Sequence, residues 1–395
     1  MTANLKTVFW TGLAFMWMNQ GVSEAAPCGG RFPAFVEAMQ AEAVAAGADR
    51  RAAAAFFGAA RLDERVLRAD RAQGIFRKDF IDFARTIISQ NRLVNGRRNA
   101  ERYAAVFAEA ERRFGVSRGV LLAFWALETD FGAVQGDFNT LNALMTLSYD
   151  CRRPELFQPQ VFAALKLYER GQFELGTTGA WAGEIGQVQM LPGDILERGV
   201  DGDGDGRVSL KTSVPDAILS GARMLQYHGW RAGEPWLQEV VVPEGLDWAK
   251  TGLDTELTVA DWQRMGVRAR TGELASGRMP ASVLLPMGRK GPAFLAYPNF
   301  RVFFEWNKSF VYVTTAAYFA TRLEGAPVFD PGNPEPMLSA AEMEALQTRL
   351  TARGHDVGGI DGILGALTRA AVQKEQQRLG LPADAWPTRE LLGRL

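Results

Sequence analysis

Histidine and cysteine are scarce: the 395-residue chain holds two of each. His228 and His355 cannot build a multi-histidine metal centre, and Cys28 and Cys151 cannot supply a zinc ribbon or a disulfide-dense scaffold. So few histidines also disfavour a Ser–His–Asp hydrolase, which leaves carboxylates as the expected acid–base groups of any enzyme here. Charge of one sign is lacking too. Forty-four basic and 45 acidic residues give a net charge of -1, against a nucleic-acid partner bound by phosphate neutralisation. No apolar run reaches the ~20 residues that cross a bilayer, so no transmembrane segment is expected in the mature chain. What is present is ordinary for a folded protein: 47% apolar and 23% charged residues, over a length of about two to three domains at ~150 residues each.

The amino terminus is the first segment with a pattern. Lys6 precedes the apolar run Val8–Met18, and small residues follow at Ser23, Ala25 and Ala26. This is the layout of a secretory signal peptide, expected to be cleaved near Ala25 or Ala26, so that residues 1–26 are removed and the protein is exported to the periplasm. The competing reading is a buried, uncleaved helix. Export gives the two cysteines a meaning, because an oxidising compartment permits a Cys28–Cys151 bridge. Two buried free thiols are the alternative.

Residues 29–113 carry apolar positions at three- and four-residue spacing and are expected to be helical. Between residues 235 and 298 the pattern is mixed, and the runs Val240–Val242 and Ala281–Leu285 suggest short strands. Residues 299–323 are aromatic-rich and end in a helical stretch, Thr315–Arg322. Residues 326–337 hold four prolines and no hydrophobic period, as a linker does. Beyond it, Ser339 with Glu342 forms a capping box ahead of a helix carrying Leu346 and Leu350. The helix is expected to stop at Gly354, with a second helix starting near Thr368. The expected division is a signal peptide (1–26), a main domain (27–325), a linker (326–337) and a small module (338–395).

One helix stands out. From Val116 to Gly132 the chain is apolar on every face between Val120 and Leu127, with Ser117 to cap it and Gly132 to end it. Glu128 closes the apolar run, with Leu121, Phe124, Trp125 and Phe131 at helical spacing around it. A carboxylate so placed loses solvation, its pKa rises, and it becomes a general acid suited to neutral pH. A solvated Glu at a frayed helix end, or one paired with Arg152, is the alternative. Asp130 points to another face and is not an obvious catalytic partner.

These residues also carry a resemblance. Ala126–Gly132, Leu141–Tyr149, Arg152–Phe157, Trp181–Gly186 with Gln189–Pro192, Val214–Ala217, His228–Trp230 and Trp306–Ser309 follow one another as in the lytic murein transglycosylase B family, glycoside hydrolase family 103. The resemblance runs from about Phe32 to Leu323. It implies a mainly α (α+β) fold with a lysozyme-like active-site core. It implies peptidoglycan as substrate, with Glu128 as the single acid/base for the bond between N-acetylmuramic acid and N-acetylglucosamine. The muramoyl 6-hydroxyl then attacks in place of water and leaves a 1,6-anhydro end, so the second carboxylate of ordinary glycosidases is not required. By the same resemblance Arg152 and Arg153 belong to the substrate cleft, Gln189 contacts the sugar beside Glu128, and Trp306, Asn307 and Tyr312 form the far wall. Ala180 departs from the Ser of many relatives, and Trp306 from the Tyr of some.

Asp201, Asp203 and Asp205 alternate with glycines in the pattern of an EF-hand calcium loop, with Gly206 at the sharp turn and the Arg207 carbonyl at position seven. Position twelve is Thr212 instead of Glu. Asp216 is the expected replacement, and the family shows a similar lengthened loop. A structural Ca2+ is expected, and no organic cofactor. Residues 338–395 resemble a three-helix peptidoglycan-binding domain through Leu350, Gly354, Gly359–Gly362, Gly365, Thr368–Val372, Gln376 and Leu379–Pro382, with Glu375 where relatives carry Phe. A monomer is expected. The rival functions are a muramidase that uses water and a non-catalytic wall-binding or scaffold protein.

Overall fold

The computed structural model describes residues 27–72, 78–255 and 257–395. The expected signal peptide lies outside the described residues. Six helices come first: α1 (Phe32–Ala45), α2 (Arg50–Gly58), α3 (Glu64–Arg71), α4 (Phe80–Ile87), α5 (Gln90–Arg102) and α6 (Ala104–Phe114). Local chemistry starts most of them. Asp49, Asp63, Asp79 and Ser89 each turn a side-chain oxygen onto a backbone N–H of the first turn, as N-caps do.

The next stretch builds the site. It holds α7 (Arg118–Thr129), β1 (Phe138–Asn139), α8 (Thr140–Tyr149), α9 (Pro154–Glu169), β2 (Thr178–Gly179), α10 (Pro192–Arg198) and α11 (Val214–Tyr227). The runs read as strands then appear, in an antiparallel sheet of order β4-β6-β7-β3-β5. Its strands are β3 (Leu237–Val241), β4 (Leu257–Thr258), β5 (Arg268–Ala269), β6 (Pro280–Leu284) and β7 (Phe294–Ala296), with α12 (Val259–Arg264) between β4 and β5. Val283 and Gln238 both pair with Leu295, which fixes the register on each side of the central strand. Helices α13 (Pro298–Trp306) and α14 (Phe310–Leu323) return to the helical body.

Two apolar cores fill that body. One joins α4 to α7 with α13 and α14; the other joins α1 and α2 with α8, α9 and the turn before α10. Trp306 packs against both, so the seam between the cores passes through it. The N-terminus is fastened to this body by a Cys28–Cys151 disulfide across 123 residues of sequence. Beside it Gly29 N–H donates to the Tyr149 carbonyl at 2.9 Å, and Tyr149 O–H to the Gly30 carbonyl at 2.6 Å. A Cys28→Ser/Cys151→Ser double variant should unfold at lower denaturant, losing about 2–4 kcal/mol. A denaturation midpoint equal to that of the oxidised protein would show the bridge to be idle.

The carboxyl-terminal helices α15 (Ala340–Ala352), α16 (Ala366–Arg378) and α17 (Arg389–Arg394) enclose their own small core of Leu346, Leu350, Val372 and Leu391. The capping box forms as read, with Ser339 and Glu342 exchanging side-chain-to-backbone bonds. Glu375 leaves no hole: it is buried and surrounded by His355, Arg353 and Arg378. The segment before α15 is pinned along its length. Phe329 is buried in the main core, and the backbone N–H groups of Asp330 and Asn333 donate to Glu239 and to the Lys290 carbonyl. The module sits against the main body through Arg369, which lies over the rings of Phe310 and Trp386 and donates to the Pro286 carbonyl at 2.7 Å.

Candidate active site

Helix α7 is buried from Gly119 through Ala126, as its all-round apolar sequence requires. Ser117 holds the N-cap position, but its hydroxyl makes no capping bond. The cap comes from α14's end instead: Glu324 Oε1 accepts the Gly119 N–H at 2.6 Å. Gly119 also lets the two helices meet, since a Cβ there would lie 2.7 Å from the Ala320 carbonyl oxygen. The far end differs from expectation as well. The helix stops at Thr129, and Asp130, Phe131 and Gly132 all take positive φ. Asp130 pairs with Arg92 at 3.1 Å, so the left-handed turn is held by charge and not by glycine alone.

Glu128 emerges on the last turn of α7, partly exposed. Two donors reach across from the end of α13 and the first turn of α14: Trp306 Nε1–H at 3.1 Å and Tyr312 O–H at 2.5 Å, both to Oε1. Because Oε1 accepts twice, the proton of the neutral acid belongs on Oε2. Burial pushes the carboxyl up to about 7. The Tyr312 bond opposes that rise, the negative charge of Glu184 adds to it, and the Trp306 bond opposes it more weakly. Tyr312 is itself buried, and burial with the Glu128 charge drives its phenol well up, so it stays a donor. Trp306 stacks on Phe124 with ring centroids 4.3 Å apart, so one of its faces is already covered.

The turn between β2 and α10 holds Glu128's helix in place. Gln187 is buried; its Oε1 accepts the Trp125 Nε1–H at 3.0 Å and its carbonyl the Thr129 hydroxyl at 2.6 Å. Ile185 and Met190 bridge, closing a turn in which Gln189 has a φ of 51. Gln189 donates its amide to the Gly186 carbonyl at 2.7 Å. Asn307 ends α13 and accepts the Ser309 N–H at 2.8 Å.

Arg152 and Arg153 converge on Asp70, which is 1% exposed; Arg152 donates to Oδ1 at 2.9 Å and Arg153 to the same atom. Neither arginine pairs with Glu128. Asp70 and Glu184 were missed from the sequence. Asp70 gave no signal among the arginines of α3, but Glu184 did: it is the one acidic residue in the Trp181–Gly186 motif. Burial raises the pKa of Glu184 and the Arg153 charge opposes the rise.

In the aspartate loop, Asp201, Asp203 and Asp205 bring carboxylate oxygens within 4.8 Å of one another. Asp201 is braced by the backbone N–H groups of Gly204 and Gly206, and Asp205 by that of Arg207. Asp216 lies outside this cluster. It is 1% exposed, and its oxygens accept from Gly202 N–H at 2.8 Å and Ser209 N–H at 2.7 Å.

The family model of the transglycosylase SLT domain matches residues 31–321, and that of the peptidoglycan binding domain residues 339–395. The structure of SltB3 from Pseudomonas aeruginosa, in complex with NAG-anhNAM-pentapeptide, is similar at 35% identity and a TM-score of 0.85, over 93% of this chain and 99% of that one. Escherichia coli Slt35 in complex with calcium is similar in fold, at 24% identity and a TM-score of 0.64, over 76% of this chain and 96% of that one. Membrane-bound lytic murein transglycosylase B of Escherichia coli K12 is 26% identical over 233 residues, 58% of this chain. The match spans 63% of that relative's length. Among the described residues no helix is long and apolar enough to cross a membrane.

Proposed function

Since the chain belongs to the transglycosylase SLT domain family, we propose that it is an exported peptidoglycan lytic transglycosylase with Glu128 as its general acid and base. The observation that carries this reading is the Glu128 carboxyl itself, raised to about 7 and fixed through one oxygen by Trp306 and Tyr312. In the first step Oε2 gives its proton to the oxygen linking N-acetylmuramic acid to N-acetylglucosamine, and that bond breaks at the anomeric carbon. Positive charge at this carbon is met by the muramoyl acetamido oxygen. In the second step the muramoyl 6-hydroxyl bonds to the anomeric carbon and returns its proton to Glu128. The carboxyl ends as it began, and no water is consumed.

Gln189, Asn307, Arg152 and Arg153 line the cleft in this reading, the arginines offering charge to stem-peptide carboxylates. A muramidase in the same fold would add water across the bond. Mass spectrometry of soluble muropeptides separates the two, since anhydro products lack one water. The module at 338–395 is proposed to hold the wall, which concentrates the enzyme on a polymeric substrate. The leader at 1–26 is proposed to direct export to the periplasm, and the mature enzyme to act as a monomer.

The aspartate loop is proposed to bind a structural Ca2+. Its donors are all oxygens, which suit a hard cation, and three carboxylates within 4.8 Å repel one another without one. Asp201, Asp203, Asp205 and the Arg207 carbonyl would hold the ion. Asp216 can join while keeping its N–H donors, because each carboxylate oxygen has a second lone pair. Calcium at a hundredfold excess over its Kd should add about 2.7 kcal/mol to stability. The expected result is a higher Tm in calcium than in chelator, and no such difference in Asp203→Asn. Equal melting of the unaltered protein in both buffers would remove the ion from this account.

A further inference from the structure

Glu128 stands on the last turn of α7, where a helix runs out of intrahelical partners for its carbonyls and frays first. Asp130, Phe131 and Gly132 all take positive φ, so no further helical turn steadies it. Placement matters here, since an acid displaced by about 1 Å can lose about 10²-fold in rate. The hydrogen bonds around this turn show what holds it.

Trp125 and Thr129 are four residues apart and share a face of α7, beside the one that presents Glu128. Both bond to Gln187. The Trp125 Nε1–H donates to its Oε1 at 3.0 Å, and the Thr129 hydroxyl to its carbonyl at 2.6 Å. Thr129 Oγ1 also accepts the Gly132 N–H at 2.9 Å, which closes the chain behind the acid. Gly132 makes room for this, because a Cβ there would lie 2.5 Å from Gln187 Oε1. Thr129 and Gln187 are both buried, so water does not compete for these bonds.

Gln187 is held from behind by the tail of the aspartate loop. Its N–H donates to the Leu210 carbonyl at 2.9 Å, and a Cβ on Gly186 would lie 2.5 Å from the Leu210 Cβ. The Lys211 carbonyl accepts the Gln135 amide at 3.1 Å, from the loop that follows α7. The Lys211 ammonium donates to Thr178 Oγ1 at 2.8 Å and to the Thr178 carbonyl, on β2. The same two residues thus brace the Gln187 turn, the loop after the acid and the strand beside it.

We propose that Thr129 and Gln187 are positioning residues of the reaction, a clasp on the last turn of α7 that aims Glu128 at the glycosidic oxygen and is seated on the Leu210–Lys211 backbone. This rests on the transglycosylase reading and adds to it two residues that touch no sugar. The clasp acts on the acid and not on the glycan, so its loss should lower kcat and leave KM.

The test uses the full chain with three substitutions. Thr129→Val keeps the shape and loses the hydroxyl, Thr129→Ser restores the hydroxyl, and Gln187→Met keeps the length and leaves the Trp125 N–H without its acceptor. On soluble glycan strands kcat should fall tenfold or more in Thr129→Val and in Gln187→Met, with KM within twofold of the unaltered enzyme. Thr129→Ser should recover most of kcat. A carbon-13 NMR titration of the Glu128 carboxyl, assigned by its loss in Glu128→Gln, reads the clasp without turnover. The carboxyl, at about 7 in the unaltered protein, should titrate lower in Thr129→Val, because a loosened turn admits water, and near its native value in Thr129→Ser. Unchanged kcat with an unchanged titration, in Thr129→Val and Gln187→Met proteins that remain folded, would overturn the assignment. Should Thr129→Val fail to fold, Gln187→Met decides by the same two readings. Absence of turnover by the unaltered enzyme would instead count against the transglycosylase reading, and the titration would then decide the clasp alone.

Discussion

A Glu128→Gln enzyme should solubilise sacculi about 10³-fold more slowly than the unaltered enzyme, within the range expected when a general acid is removed. The amide keeps the shape of the side chain and can still accept from Trp306 and Tyr312 through its oxygen. It has no proton to give to the glycosidic oxygen, so chemistry should stop while glycan binding persists. The pH profile of the unaltered enzyme gives an independent check. The reacting form is the protonated acid, and its carboxyl is raised to about 7. Activity should therefore decline as pH rises through about 7 and fall tenfold per unit beyond it. Undiminished solubilisation by the glutamine variant, or an alkaline limb that ignores this group, would transfer catalysis elsewhere.

The second large effect concerns Asp70. It is 1% exposed and holds two arginines whose side chains are 45% and 32% exposed. The asymmetry decides which partner matters more. Removing Arg152 and Arg153 together leaves a buried carboxylate without a counter-ion, and such a change costs about 3–5 kcal/mol. Removing Asp70 instead frees two cations that can turn to water, so Asp70→Ala should destabilise less. Urea unfolding of Arg152→Met/Arg153→Met beside Asp70→Ala measures this directly. With Arg152 and Arg153 in the cleft as proposed, Asp70→Ala should also raise KM, because both lose the carboxylate that holds them. Equal midpoints for the two proteins would show that Asp70 is not what the arginines serve.

Most of the helical architecture was legible because it follows from periodicity and caps. Helix α7 advertised itself by having no polar face before Glu128, and burial of that face is what raises the acid. The capping box at Ser339 formed because both of its bonds are local. The misreadings came where local signals lose to tertiary contacts. Ser117 looks like a cap, but Glu324, 205 residues away in sequence, reaches the orphan N–H of Gly119 first. Gly132 looks like a helix stop, but the chain leaves the helix three residues earlier, with Arg92 holding Asp130.

The candidate site was legible as a set of residue types and not as a network. Glu128 with Trp306 and Tyr312 spans 184 residues, and no spacing rule reports that two donors share one oxygen. Asp70 was invisible because a lone aspartate among arginines resembles any solvated surface. The aspartate cluster was readable through Asp205, since its carboxylates alternate with glycines along the chain. Asp216 was also named from the sequence, but its backbone partners, the N–H groups of Gly202 and Ser209, were not, since they depend on how α11 meets the loop.

The Arg369 staple between Phe310 and Trp386 has a mechanical consequence. Phe310 begins the helix that also carries Tyr312, so the carboxyl-terminal module is riveted to the wall of the cleft and cannot swing like a bead on a string. If that module holds the wall as proposed, its grip and the acid move as one piece, and the strand it holds meets the cleft from a fixed side.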